Sequence, residues 1–285
     1  MSTMEFIVLG SGGASCIPKP LCNCKVCTEA REKGYPYKRC GTSLYLKDIS
    51  MVIDTPEDIS IALNNQDVKS VENIMYSHWD PDHTLGMRVV EQISLDWYNH
   101  YSKIKPTNTI SVYASSGVMS DINKIRSPYG SFFDYYEKMS LIKRVEIANF
   151  VEINDIKITP INVSEDKNVS VFVFEKGSKK VIYAPCDCTP FPSSELFNNA
   201  DLLIIGNVYV SNVIKGGKIM QDTHCLAKTL NSMQEVLSIK EKYNIKDVII
   251  THIEELWGKS YDDYIKLEKD YQNIKFAYDG LTIKI

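Results

Sequence analysis

The sequence predicts an α/β fold in which sheets are covered by helices. Three observations carry this. Short runs rich in Val, Ile, Tyr and Phe recur along the whole chain, bounded by Gly, Pro, Asn or Asp. Helical periodicity is confined to a few longer segments. Strands dominate both halves, with helices between some of them, which is not the pattern of an all-β sandwich.

The strand-like runs are residues 5–10, 43–47, 51–54, 73–77, 109–114 and 156–163, then 169–175, 180–184, 201–206, 247–251 and 275–285. Residues 84–101 and 226–243 place apolar side chains at helical spacing, and 259–270 is a third helix candidate. No internal repeat, low-complexity tract or linker divides the 285 residues, so one domain over 1–285 is expected. Residues 87–150 read as an insertion carrying Trp97, Tyr98, Tyr101 and the stretch SPYGSFFDYYEKM. It is expected to be a helical hairpin with its own small core. The alternative is a lid over the site or a contact for a second copy in a homodimer.

Composition narrows the partners. The chain is 44% hydrophobic and 24% charged, with a net charge of −4, so there is no basic field to favour nucleic acid. Lys33, Lys38 and Arg39 form a local basic exception. No apolar run approaches the roughly 20 residues that span a bilayer, and the first residues, MSTMEFIVLGSGG, read as a strand and not as a signal peptide. A cytoplasmic protein with reduced cysteines is the expectation, so its eight cysteines read as metal ligands or buried small residues.

The chemistry is concentrated in YSHWDPDHTLG, which follows a strand-like run. His78, Asp80, Asp82 and His83 lie within six residues, a density that fits convergence on a cation better than a solvated loop. A second cluster, CNCKVC, holds Cys22, Cys24 and Cys27. Three thiols this close form a soft site suited to tetrahedral zinc.

These residues resemble the metallo-β-lactamase superfamily. Its motif, His-x-His-x-Asp-His after a strand, reads His78-Trp79-Asp80-Pro81-Asp82-His83 here. YAPCDCT carries Asp187 where that family has its bridging aspartate, IITHIEE carries His252 where it has its last histidine, and LGSGGA matches its early glycine turn. Within the superfamily the chain is similar to the phosphoribosyl cyclic phosphate phosphodiesterases of the carbon–phosphorus lyase pathway, through CNCKVC, and more distantly to the pyrroloquinoline quinone biosynthesis protein B. The resemblance implies a four-layer αββα sandwich, two divalent ions (Mn, Fe or Zn) in a dinuclear site, and one structural zinc. The zinc would be held by Cys22, Cys24, Cys27 and Glu255, with Cys40, His224 and Cys225 as alternatives to Glu255.

The family also has a histidine in the middle of the chain. The corresponding stretch, INVSEDKN, has none, and Glu165 is the expected replacement, with Asp166 as runner-up. The implied metal set is then His78, Asp80, Asp82, His83, Glu165, Asp187 and His252. Four carboxylates neutralise two divalent ions, so bound water is a weaker acid and harder ions such as manganese or iron are favoured. The implied reaction is hydrolysis of a small phosphoester, with Asp82 in the catalytic centre and His224 as the acid. A carboxylate-rich dinuclear iron redox enzyme is the alternative, and a non-catalytic metal-binding relative is a third. Cys186 and Cys188 are expected to point away from the ligands by strand alternation. His100 is expected at the surface, and Trp79 either walls the site or packs in the core.

Overall fold

The computed structural model describes residues 3–285. Fourteen strands build two sheets, and we number them in chain order. The first six are β1 (Glu5–Gly10), β2 (Ser43–Leu46), β3 (Met51–Ile53), β4 (Asn73–Met75), β5 (Ile110–Ser115) and β6 (Ile142–Ile147). Next come β7 (Val151–Ile153), β8 (Ile156–Ser164), β9 (Lys167–Lys176), β10 (Lys179–Ala184), β11 (Leu202–Gly206) and β12 (Asp247–Thr251). The chain closes with β13 (Ile274–Phe276) and β14 (Thr282–Lys284).

The first sheet runs β14-β1-β2-β3-β4-β5-β6 and the second β13-β12-β11-β10-β9-β8-β7. Each is mixed. β14 through β3 and β7 through β10 pair antiparallel, whereas β3 through β6 and β10 through β13 pair parallel.

Period-two alternation decides the layers. Phe6, Leu44, Ile53 and Met75 of the first sheet meet Ile158, Phe174, Tyr183 and Ile204 of the second in one buried cluster. Phe6 and Phe174 meet edge to face at 5.4 Å between ring centroids. The opposite faces take helices. Val52, Ile74 and Val112 pack with Ile59, Val118 and Phe133. Val173, Ile182 and Leu203 pack with Val236, Ile239 and Tyr264. The result is the expected helix–sheet–sheet–helix sandwich.

The helix candidates are more broken than their periodicity suggests. Residues 84–101 divide into a 3-10 turn Leu85–Arg88 and helices Val89–Ser94 and Trp97–Tyr101. Residues 226–243 divide because Ser232 starts a new helix, Met233–Lys242, with a capping box to Glu235. The last run, 275–285, is two strands on different sheets.

The insertion reading of 87–150 is corrected. β5 and β6 are paired strands of the first sheet, and Phe133 and Tyr136 pack beneath that sheet, not in a core of their own. Trp97, Tyr98, Tyr101 and Tyr129 are exposed. The basic exception also dissolves, because Arg39 is buried and Lys33 is bonded to Glu29. Among the described residues no helix is long and apolar enough to cross a membrane.

Candidate metal centre

The ligand candidates sit where strands end. His78 follows β4, Cys186 and Asp187 follow β10, and His252 is the first residue after β12. Asp54, Asp187 and His252 all turn left-handed there, with φ of 61°, 58° and 55°. Such conformations cost on the order of 1 kcal/mol or more for non-glycine residues and persist where surrounding contacts fix them. The side chains of Asp54 and His252 reach the histidine cluster from these turns.

Asp54 anchors the cluster. Its Oδ2 accepts from His83 Nδ1 at 2.9 Å, Ser77 Oγ at 2.6 Å and Tyr183 OH at 3.2 Å, while Oδ1 accepts from Ser77 N at 2.8 Å. Ser77 Oγ in turn lies 2.8 Å from His78 Nδ1. This network assigns the tautomers. Nδ1–H of His83 donates to Asp54, Nδ1–H of His78 donates to Ser77, and both Nε2 lone pairs face inward. The rings are 4.1 Å apart, and His252 stacks on His83 at 5.5 Å.

Two overlapping donor groups result: His78, His83 and Cys186, and Asp82, His83 and His252, each with ligand atoms within 4.8 Å of one another. Asp82 Oδ2 lies 3.2 Å from His252 Nε2 and 3.5 Å from His83 Nε2. Asp80 Oδ2 is 3.8 Å from His78 Nε2. Burial, together with the negative charges of Asp187 and Asp82, raises the Asp80 carboxyl. Burial also opposes the charged form of Asp82, but the His252 hydrogen bond and His83 outweigh it and hold that carboxyl below its ordinary range.

Burial holds His78 well below its ordinary value. For His83 burial acts the same way, but Asp54 offsets it and raises the ring. His252 Nδ1 is buried with no hydrogen-bond partner, 3.7 Å from Glu254 Oε1. Converging imidazoles and adjacent carboxylates fit divalent cations.

Two expected site residues stand outside both donor groups. Glu165 lies exposed in the turn between β8 and β9, and neither donor group includes it or its neighbour Asp166. His224 is also exposed. Its Nδ1 accepts from Leu226 N at 3.1 Å and caps the short helix Cys225–Thr229, so the ring serves the backbone and not the cluster. Cys186 was missed. It is buried, and its Sγ lies 3.3 Å from Nε2 of both His78 and His83. Trp79 is half exposed at the rim. His100 is exposed, in edge contact with Trp97.

The thiols of Cys22, Cys24 and Cys27 gather as expected, and Cys27 Sγ accepts from Lys19 N at 3.3 Å. Burial pushes the Cys27 thiol up to about 12. A soft cation suits three converging thiols. Glu255 is not in that group. It is buried, and both its oxygens lie 2.8 Å from Lys215 Nζ. The alternatives do not join the thiols either: Cys40 is buried against Tyr35, and Cys225 is exposed beside His224. The cysteine loop still supports the metal centre. Tyr37 donates to Asp262 at 2.9 Å, and Lys19 lies 3.8 Å from Glu255, so the loop grips the segment that follows His252.

The glycine turn is structural. Gly12 bridges Ile253, and a Cβ on Gly13 would lie 2.1 Å from Glu254 Oε1, which accepts from Ala14 N.

Residues 52–253 match the β-lactamase superfamily domain, a span that holds both donor groups of the histidine cluster but not the three thiols. The chain belongs to the metallo-β-lactamase superfamily. No curated protein matches it in sequence. Solved structures share the fold at low identity. A diphosphatase of the PhnP family is 20% identical, with a TM-score of 0.71 over 100% of this chain and 98% of its own. The zinc-bound PqqB of Methylobacterium extorquens is 16% identical, with a TM-score of 0.68 over 98% of this chain and 99% of its own. Human tRNase Z, short form, is 13% identical, with a TM-score of 0.64 and 98% of each chain covered.

Proposed function

We propose that this protein is a metal-dependent phosphodiesterase acting on a small phosphoester at a dinuclear centre. The observation that carries the reading is the relay through which one buried carboxylate, Asp54, orients both His78 and His83 so that their Nε2 atoms face the same point. Such anchoring is characteristic of metal-ligating histidines. The diphosphatase and the tRNase Z among the fold neighbours agree with phosphoester chemistry.

Bound at this cluster, divalent ions supply the Lewis acidity that generates a nucleophile from water and neutralises phosphoryl charge. The chain's own residues hold that chemistry in place. His78, His83, Asp82 and His252 would hold the ions, with Asp80 and Asp187 as the further carboxylates at the strand ends. Asp54 fixes ring orientation from beneath. Trp79 borders the mouth and restricts the approach on the Asp80 side.

The dinuclear iron reading loses ground for a specific reason. It drew on Asp80 and Glu165 together as extra carboxylates, and Glu165 lies exposed in the turn between β8 and β9. A screen of cyclic and linear phosphodiesters with metal-reconstituted protein tests the proposal. Turnover of at least one, lost after chelation, supports it. No turnover of any with zinc, manganese or iron in place would overturn it.

A further inference from the structure

We infer that Cys186 is a thiolate ligand of the active-site metal centre, shared between His78 and His83. This rests on reading the histidine cluster as a metal centre and adds a ligand of a different chemical class.

The geometry is that of a shared coordination sphere. Sγ is equidistant from two imidazole nitrogens at 3.3 Å. Nitrogen and sulfur bound to one zinc at ordinary lengths and a tetrahedral angle stand roughly 3.5 Å apart. Neither Nε2 atom has another partner at hydrogen-bond distance, since the nearest carboxylate oxygens are 3.8 Å from His78 and 3.5 Å from His83. A thiol is a weak donor and a weak acceptor, so it is a poor reason to bury two inward lone pairs.

The backbone is arranged to bring the sulfur there. β10 ends at Ala184, Pro185 cannot extend the ladder, and Asp187 is left-handed. The period-two rule therefore stops before Cys186. Gly206, at the end of β11, leaves the room. A Cβ there would lie 3.0 Å from Cys186 N and 3.2 Å from His252 Cβ. Cys188 shows the contrast: its Sγ turns back to the Cys186 carbonyl at 3.4 Å and packs in the second sheet's outer core.

The consequence is a change of metal preference. A thiolate joins Asp80, Asp82 and Asp187, and the ligand charge again balances two divalent ions, as the four-carboxylate set would have done. The fourth charge is now soft, which favours zinc, cobalt or cadmium over manganese.

Cadmium-113 NMR of the full chain tests this without reference to activity. Two classes of resonance are expected, one from the Cys22–Cys24–Cys27 thiols and one from a mixed sulfur–nitrogen site. Cys186→Ser should move the second far upfield and leave the first, which reports that the variant is folded. Cys188→Ser should leave both. If Cys186→Ser does not fold, proton–cadmium correlation in the wild type must show coupling to the Cys186 β-protons. Cadmium bound at the histidines with no response to Cys186→Ser, or without that coupling, would overturn the thiolate ligand alone. No cadmium beyond the three-thiol site would overturn the metal centre as well.

Discussion

Asp54 Oδ2 and His83 Nδ1 meet at 2.9 Å with both side chains fully buried. The same carboxylate reaches His78 through Ser77. One residue that touches no substrate thus sets the direction of two ligands.

Asp54→Asn tests that relationship. The amide keeps the shape but offers one acceptor oxygen where the carboxylate serves four donors. The substitution should weaken metal binding at the histidine cluster by about 10- to 100-fold, the usual cost of losing such a partner. Competition with a coloured chelator measures it. Affinity within twofold of wild type would contradict the anchoring role.

Glu165 and Asp187 make a paired test. Glu165→Ala should leave metal content and turnover unchanged, because its side chain is exposed in a hairpin turn. Asp187→Ala should cut turnover by more than about 100-fold and lower bound metal, since it stands at the end of β10 next to Cys186 and its charge acts on Asp80. Elemental analysis with a rate assay reads both. A large loss in Glu165→Ala would restore the carboxylate-rich ligand set.

A stability effect lies outside the metal centre. Burial raises the Asp279 carboxyl from 3.8 to about 6, against bonds from Cys40 N and Ser11 and the charge of Arg39 that act to lower it. An acid with the higher pKa in the folded state binds its proton more tightly there. Its contribution to stability is therefore fully present below the unfolded value and is lost as pH rises through about 6. At about 1.4 kcal/mol per unit, the group disfavours folding at neutral pH by up to about 3 kcal/mol relative to acid. Asp279→Asn should flatten the urea-unfolding stability slope between pH 4 and 7, as judged against wild type. Equal slopes would contradict it.

The sequence made the two sheets legible because their strands are short apolar runs with clear boundaries. β1 and β12 match the expected spans without change. It was less informative where local pattern and tertiary use diverge. β6 mixes charged and apolar residues, IKRVEI, at the edge of the first sheet, and was absorbed into an apparent insertion. The contiguous ligands His78, Asp80, Asp82 and His83 stood out because they share one loop. Glu165 was chosen by residue type, which says nothing about the turn that holds it in solvent. Cys186 was misplaced because alternation was extended past Pro185, and the left-handed Asp187 leaves no trace in residue spacing. His224 sits at the start of a helix in either reading, and only the bond to Leu226 N decides its use.

If the histidine cluster binds metal and that metal performs hydrolysis, bound metal and turnover must be lost together. The most direct measurement is metal content per chain, made together with hydrolysis of bis-p-nitrophenyl phosphate, for wild type and Asp82→Ala. Nitrophenolate leaves without a general acid, so the assay does not depend on identifying one. Wild type should hold metal in excess of the single three-thiol zinc and turn over, and Asp82→Ala should lose both the excess and the turnover. Wild-type protein that holds no more than one zinc, or an Asp82→Ala variant that turns over normally, would contradict it.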